Sequence, residues 1–366
     1  MASTLVQRVL DLAVAIQQIP APTFEEQARG AFVRQRFEAE GLSDISVDRA
    51  GNVYGRLPGS GNGPPVVVSA HLDTVFPRDT DLTISRREER IYGPGIGDNS
   101  TGVAGLFGLL WSLNAGSRLP GDIWLVANVG EEGLGDLCGM RAVADRFGSE
   151  PAAYVVLEGM ALGQIYHRAL GVRRYRITAR TKGGHSWVDF GRPSAVHELA
   201  ALINRLVELP LPKQPRTTLN VGVVEGGTSV NTIAAEAWLE LDLRSEEVDA
   251  LQKLAGQVEK LVQEANRPDV RVSAEAIGQR PAGRIDVNHP LIEAARHSLL
   301  AQGLQPFLGI GSTDANIPLS RGMPAVCVGI TTGGGAHTVE EYIETPPVEK
   351  GLGQVILLLQ EIFRRL

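Results

Sequence analysis

Three apolar runs in this chain each close on an acid or a histidine, and that repetition limits what the chain can fold into. In Pro64-Pro-Val-Val-Val-Ser-Ala-His-Leu-Asp-Thr-Val75, the unbroken Val66–Val68 reads as a strand buried on both faces. It delivers His71 and Asp73 at its carboxyl end. Residues two apart on a strand point to the same side, so imidazole and carboxylate can meet. A carboxylate in that place fixes the tautomer of a metal-binding histidine. Asp122–Val129 is a second such run and ends in Gly130-Glu131-Glu132-Gly133. Tyr154–Leu157 is a third and ends in Glu158-Gly159. One histidine at a strand end is no more than a capped surface residue. Repeated through a chain of alternating strands and helices, the device predicts an α/β sheet with a site beyond the strands' carboxyl ends.

The intervening segments fit that sheet. Leu5, Val6, Val9, Leu12, Ala13 and Ile16 recur at helical spacing, and Pro20 with Pro22 ends the helix. Thr23–Glu26 has the form of a capping box for a second helix, which Gly41 stops. Ile45–Val47 and Val53–Leu57 read as short strands around a Gly51-Asn52 turn. Gly93-Pro-Gly-Ile-Gly-Asp98-Asn99-Ser-Thr-Gly102 has G-x-G-x-G spacing rather than G-x-G-x-x-G, and no clean strand precedes it. It is a loop that brings backbone and one carboxylate to a shared centre, with Asp98 near the start of a helix over Thr101–Leu113.

Near residue 170 the pattern changes. Tyr175, Ile177 and Ala179 alternate with polar residues, and Arg192–Leu209 reads as a helix. Strands at Leu219–Val224 and Ala237–Leu243, a helix over Glu246–Ala265 and a strand near Val270–Ala274 complete β-α-β-β-α-β. That is a ferredoxin-like order, one open sheet with helices on one face. Residues 170–279 therefore read as a small domain inserted between 1–169 and 280–366. In the last part a helix over Leu291–Gln302, a strand over Pro324–Ile330 and a helix over Val348–Arg365 resume the α/β pattern. The Thr331–Tyr342 segment carries Gly333, Gly334, Gly335 and His337.

Composition narrows the classes. A net charge of −7 without a polybasic run gives no footprint for nucleic acid. No apolar run reaches the ~18–20 residues that span a bilayer, and Met1-Ala-Ser-Thr leads directly into the first helix without a secretory pattern, so the expected compartment is the cytoplasm. Cys138 and Cys327 lack a C-x-x-C partner and read as small buried hydrophobes.

His71, Asp73, Asp98, Glu131, Glu132, Glu158 and His337 form a mixed nitrogen and oxygen ligand set suited to Zn²⁺, with Co²⁺ or Mn²⁺ as competitors. The acids are too many for one tetrahedral site. Five ligands with one shared carboxylate would serve two metals ~3.5–4 Å apart.

At this level the chain resembles the co-catalytic zinc aminoacylase/carboxypeptidase/dipeptidase family, including peptidase T-type tripeptidases and succinyl-diaminopimelate desuccinylase. The matching segments are Ser69–Val75, Gly95-Ile-Gly-Asp98-Asn99, Glu131-Glu132-Gly133, Glu158-Gly159 and His337-Thr-Val-Glu-Glu-Tyr342, in the family's order across almost the whole chain. The resemblance implies a zinc-exopeptidase-type mixed sheet flanked by helices, with the inserted domain as lid and homodimerisation domain. His71 and Glu158 would then bind one zinc, Glu132 and His337 the other, and Asp98 both. Asp73 would orient His71, and Glu131 would be the general base on the attacking water. The Asp98–Asn99 peptide would be cis. His185, in Gly183-Gly-His-Ser186, would reach into the partner subunit's active site and stabilise the oxyanion. Read without the resemblance, it is equally a capping or surface histidine. Asn231 and Arg244 match positions that hold the substrate's polar end, although Arg244 also has Asp242 and Glu240 within reach. Backbone N–H groups of Gly333, Gly334 and Gly335 could bind a free carboxylate.

The implied activity is amide-bond hydrolysis, with an exopeptidase on small peptides first and an N-acyl amino acid deacylase or desuccinylase as the alternative. Glu158 stands where deacylases more often carry Glu, whereas Gly311–Asn316 and the Thr331–His337 loop are similar to the tripeptidase branch. A non-catalytic binding protein of the same fold would have lost a ligand or the base, and none is missing. Nucleotide-dependent transfer would need a phosphate loop with a lysine, and Gly93–Gly102 contains none.

Overall fold

Val66–His71 is buried along its entire length at the middle of a mixed sheet. The structure is a computed structural model and describes residues 4–61, 63–114 and 118–366. The first three residues, where the chain was read for a secretory leader, lie outside the described residues. Across the sheet the strands run Ser43–Val47, Val53–Leu57, Ile123–Asn128, Val66–His71, Ala153–Glu158, Ala325–Gly329 and Gln164–Ala169. The four from Ile123–Asn128 to Ala325–Gly329 are mutually parallel. Their carboxyl ends therefore lie on one edge, and that edge receives His71, Glu158 and the segments leading to Glu131, Glu132 and His337. Buried on both faces, parallel strands of this kind need continuous apolar sequence, which is why their pattern does not alternate. The outer pairs are antiparallel, apart from Phe307–Gly311, which adds parallel to Gln164–Ala169.

Helices flank this sheet. Gly102–Asn114 is buried from Gly102 to Trp111 and packs on the Val66–His71 and Ala153–Glu158 strands. Thr4–Gln17 and Val348–Arg365 pack against it, the latter also against Pro290–Ala301. Gln27–Ala39 packs on the Val53–Leu57 strand and Cys138–Phe147 on Ile123–Asn128. No helix among the described residues is long and apolar enough to cross a membrane.

The capping box expected at Thr23–Glu26 is not formed. The second helix begins at Gln27, Glu26 makes no side-chain cap bond, and both polar side chains turn toward the sheet edge instead. The Cys138–Phe147 helix was legible but unread: Met140, Val143, Ala144 and Phe147 are its buried face at helical spacing. The Phe307–Gly311 strand gives no such signal. Its glycines are there because Tyr166 lies against Gly309 and Gly311, where added Cβ atoms would come to 3.0 and 3.2 Å from its ring.

Chain contacts divide the protein into one unit of Met1–Ala169 with Arg284–Leu366 and another of Leu170–Gly283. The second unit has strands Gly171–Arg180, Thr217–Gly226, Glu236–Ser245 and Arg271–Arg280 and helices Ala195–Val207 and Val248–Glu264, in the order β-α-β-β-α-β. Its last strand runs past residue 279, where the sequence pattern sets the boundary. The antiparallel sheet is ordered Thr217–Gly226, Glu236–Ser245, Gly171–Arg180, Arg271–Arg280. Strict alternation in Glu236–Ser245 sends Ala237, Leu239, Leu241 and Leu243 into a core with Leu199, Leu202, Leu254 and Val258 of the helices. On the other face Arg174, Arg176 and Arg180 pair across strands with Asp242, Glu240 and Glu236. Such partly exposed pairs contribute about 0–1 kcal/mol each and chiefly fix register.

Candidate metal centre

Asp98 stands between two imidazoles. Its Oδ1 lies 3.1 Å from His71 Nε2 and its Oδ2 lies 3.1 Å from His337 Nε2. Glu158 Oε2 is 3.7 Å from the same nitrogen of His71, and Glu132 Oε1 is 3.3 Å from that of His337. Potential ligand atoms fall into three overlapping groups, each with all atoms within 4.8 Å of one another: His71, Asp98 and Glu158; His71, Glu131 and Glu132; Asp98, Glu132 and His337. Residues drawn from positions 71 to 337 are thus gathered at one strand edge. One side is deep, with the His71 side chain 1% exposed, while that of His337 is 54% exposed. Access from solvent is therefore from the His337 side.

Asp98 is carried by an irregular turn over Ile96–Thr101, and the Asp98–Asn99 peptide is cis. The Asn99 amide ties this turn to the Glu158 strand: its Nδ2 donates to the Leu157 carbonyl at 2.8 Å, and its Oδ1 accepts the Gly159 N–H at 2.9 Å. His337 takes φ 65°, which for a side chain with a Cβ costs roughly 1–3 kcal/mol and is tolerated where the surroundings over-determine the backbone.

Asp73 is fully buried and organises the opposite side. Its Oδ1 faces His71 Nδ1 at 3.5 Å and accepts the Glu131 N–H at 3.0 Å. Its Oδ2 accepts the Glu132 N–H at 2.8 Å and the Thr23 hydroxyl at 3.0 Å. The Asp73 carbonyl also lies 3.1 Å from His71 Nδ1. Both partners leave His71 Nε2 as the nitrogen aimed at Asp98 and Glu158.

The electrostatics match a site made for cations. Burial alone would push the His71 imidazole down, but the carboxylates of Asp73, Asp98 and Glu158 raise it well above its usual range. Asp98 and Glu132 push His337 up to about 10. Burial pushes the Asp98 carboxyl up, but His337 and His71 outweigh it and hold the group well below the ordinary carboxylate range. The carboxylates thus favour positive charge at both imidazole positions. Glu132 Oε1 is buried and meets the His337 imidazole at 3.3 Å without a well-formed hydrogen bond. Two imidazole nitrogens and four carboxylates are a donor set that could hold two divalent cations.

Other expected residues fall as follows. Gly333 and Gly334 pair with Ile343 and Tyr342 in a short ribbon, and Gly335 at φ 70° makes the turn toward His337. In the second unit the Gly184–His185 segment pairs with Thr232–Ile233, and the Ser186 N–H donates to the Asn231 carbonyl at 3.0 Å, so His185 and Asn231 share one ribbon. His185 is exposed, and its Nδ1 accepts the Trp187 N–H at 3.2 Å. A neutral imidazole held this way carries its proton on Nε2. Arg244 Nε donates to Asp242 Oδ2 at 2.7 Å, the ion pair open to it in the sequence.

Several supporting residues went unread. Glu26 accepts the Gly130 N–H at 3.1 Å. Arg29, 2% exposed, donates to the Ile19 and Leu72 carbonyls, gripping the strand between His71 and Asp73. Buried Asn128 donates to buried Asp314 at 2.7 Å. A signal was present for Arg29, which stands with Val33 and Phe37 on the buried face of its helix.

The approach of the Asp98 and Glu158 segments makes a direct prediction. A Cβ on Gly159 would lie 1.9 Å from the Gly97 carbonyl oxygen and 3.1 Å from Thr101 Cβ. Backbone cannot yield there without moving the Asp98 turn. Gly159→Ala should therefore lower stability by about 3 kcal/mol or more and weaken cation binding. Gly133, at φ 50° with open space around it, serves as the comparison; Gly133→Ala should cost about 1–2 kcal/mol. Thermal melts and zinc titrations of the two variants check this, and equal effects would mean the close approach is not essential.

A sequence profile described as Peptidase family M20/M25/M40 matches residues 67–363. A Peptidase M20 domain-containing protein of Schizosaccharomyces pombe is 30% identical over 241 residues, covering 61% of this chain and 57% of its own length. Succinyl-diaminopimelate desuccinylase of Corynebacterium glutamicum is 26% identical over 94% of this chain and 92% of its own. Among solved structures, a tripeptidase of Staphylococcus aureus superposes with a TM-score of 0.82 over 98% of this chain and 99% of its own, at 22% identity. That likeness carries the fold, a mixed sheet with flanking helices.

Proposed function

We propose that this chain, which belongs to peptidase family M20/M25/M40, is a metal-dependent amide-bond hydrolase that acts as an exopeptidase on small peptides. The observation that carries the reading is Asp98, whose two oxygens face His71 and His337 separately. His71 and Glu158 would hold one cation, Glu132 and His337 the other, and Asp98 would be shared. When bound, the pair, zinc first with cobalt or manganese as competitors, supplies Lewis-acid polarisation and lowers the pKa of water.

The chain's own residues do the rest. Glu131, fixed by its N–H bond to Asp73, takes the proton from the water that attacks the amide carbonyl and passes it to the leaving nitrogen. Asp73 holds His71 in the tautomer whose Nε2 faces the centre. The second unit serves as lid and homodimerisation domain, with the Nε2–H of His185 supporting the oxyanion in the partner subunit and Asn231 and Arg244 receiving the substrate's polar end. N–H groups of Gly333, Gly334 and Gly335 take the free carboxylate. The compartment consistent with this use is the cytoplasm.

A second reading, N-acyl amino acid deacylase or desuccinylase, is favoured by Glu158 and by similarity to the desuccinylase along nearly the full chain. Mass spectrometry of products from di- and tripeptides, N-acetyl and N-succinyl amino acids, with zinc and with a chelator, separates the two. Chelator-sensitive removal of residues from one peptide terminus is the expected result. Cleavage confined to acylated amino acids would move the chain to the deacylases, and no cleavage of anything would sink both.

A further inference from the structure

Glu341 is fully buried, yet it lies in a segment whose only role so far is to follow His337. Its Oε1 accepts the N–H groups of Gly97 at 2.7 Å and Asp98 at 2.8 Å, and its Oε2 accepts that of Gly95 at 3.2 Å. The Glu341 main-chain carbonyl accepts a fourth, from Gly93, at 2.9 Å. One residue thus takes four N–H groups from the six-residue stretch that presents Asp98. It does so from four positions beyond His337, the imidazole that faces Asp98 Oδ2.

We propose that Glu341 is a positioning residue that sets Asp98 between its two imidazoles by clamping the Gly93–Asp98 turn to the His337 segment. The inference rests on the reading of Asp98 as the shared metal ligand. The turn has two attachments. Asn99 fastens it to the Glu158 strand, and Glu341 fastens it to the His337 segment. The first fixes Asp98 relative to the strand that carries Glu158, and the second relative to the segment that carries His337. A carboxylate suits the second task because its two oxygens accept from three converging donors at once. An amide in its place would turn its NH₂ against one of them. Burial and the neighbouring Asp98 push its carboxyl above the usual range, and the N–H groups of Asp98, Gly97 and Gly95 offset only part of that rise.

The test compares wild type, Glu341→Gln and Asp98→Asn, stripped of metal and titrated with Zn²⁺ by calorimetry. Amide hydrogen exchange is followed on the metal-free proteins. Glu341→Gln is expected to bind zinc about 10–100-fold more weakly, the usual effect of losing a partner that orients a ligand. Exchange should quicken in the segment 93–101 while the Val66–His71 strand keeps its protection. Zinc affinity within about threefold of wild type would overturn the proposal. So would faster exchange spread over the whole sheet, since that marks a role in general stability. If Asp98→Asn loses zinc and Glu341→Gln does not, only the positioning role falls. If Asp98→Asn binds zinc like wild type, the reading of Asp98 as ligand falls, and this inference with it.

Discussion

Glu131→Gln should retain both cations and lose turnover by about 10²–10⁴, the range supplied by a positioned base. The substitution preserves shape and hydrogen-bonding volume but removes the lone pair that takes the proton. Glu131 is 5% exposed and its backbone is fixed through Asp73, so a glutamine should stand in the same place. Steady-state rates on the substrate found by the product screen, together with metal content by elemental analysis, give the two readouts needed. Near-normal turnover with both metals present would remove Glu131 from the base role. Loss of a metal would instead make it a ligand, which its grouping with His71 and Glu132 makes a real outcome.

Asp73→Asn should produce the other large effect, on assembly of the site rather than on the proton transfer. Asp73 accepts from the Glu131 and Glu132 N–H groups and the Thr23 hydroxyl, and faces His71 Nδ1. Burial pushes its carboxyl up, but His71 and those two N–H groups outweigh it and hold the group below its usual range. The charge is thus part of how the site is held. An amide can accept from at most part of this set, and each buried donor left unpaired costs about 1–3 kcal/mol. Zinc affinity should fall about 10–100-fold with the loss of the partner that orients His71. Thr23→Val removes one of the four contacts and should cost about 1 kcal/mol with zinc affinity unchanged. Melting temperatures and zinc titrations of the two variants decide the matter. Wild-type affinity and stability in Asp73→Asn would show that the glutamate loop is held by something else.

Val66–Val68, Leu125–Ala127 and Val155–Leu157 announced buried strands of an α/β sheet because burial on both faces leaves no room for polar alternation. Given those strands, His71, Glu131, Glu132 and Glu158 had to arrive at one edge, whatever the loops did. The second unit's order was legible for a similar reason, since Glu236–Ser245 alternates residue by residue. Thr23 and Glu26 show the limit. Their spacing is that of a helix cap, and a cap uses the nearest backbone donors. In the folded chain Asp73 and the Gly130 N–H, far away in sequence, compete for the same side chains and win.

What the sequence determined by itself was periodic: where strands and helices lie, and which ligand-type side chains stand at strand ends. Those follow from the two repeat lengths of the backbone and act over a few residues. The tertiary structure decided the pairings. Asp98 meets His71 on one oxygen and His337 on the other, Asp73 takes the N–H groups of the glutamate loop, and Glu341 takes those of the Gly93–Asp98 turn. Each joins segments that no periodicity relates, and each forms only because packing the sheet brings buried donors and acceptors to one edge where leaving any of them unpaired is costly.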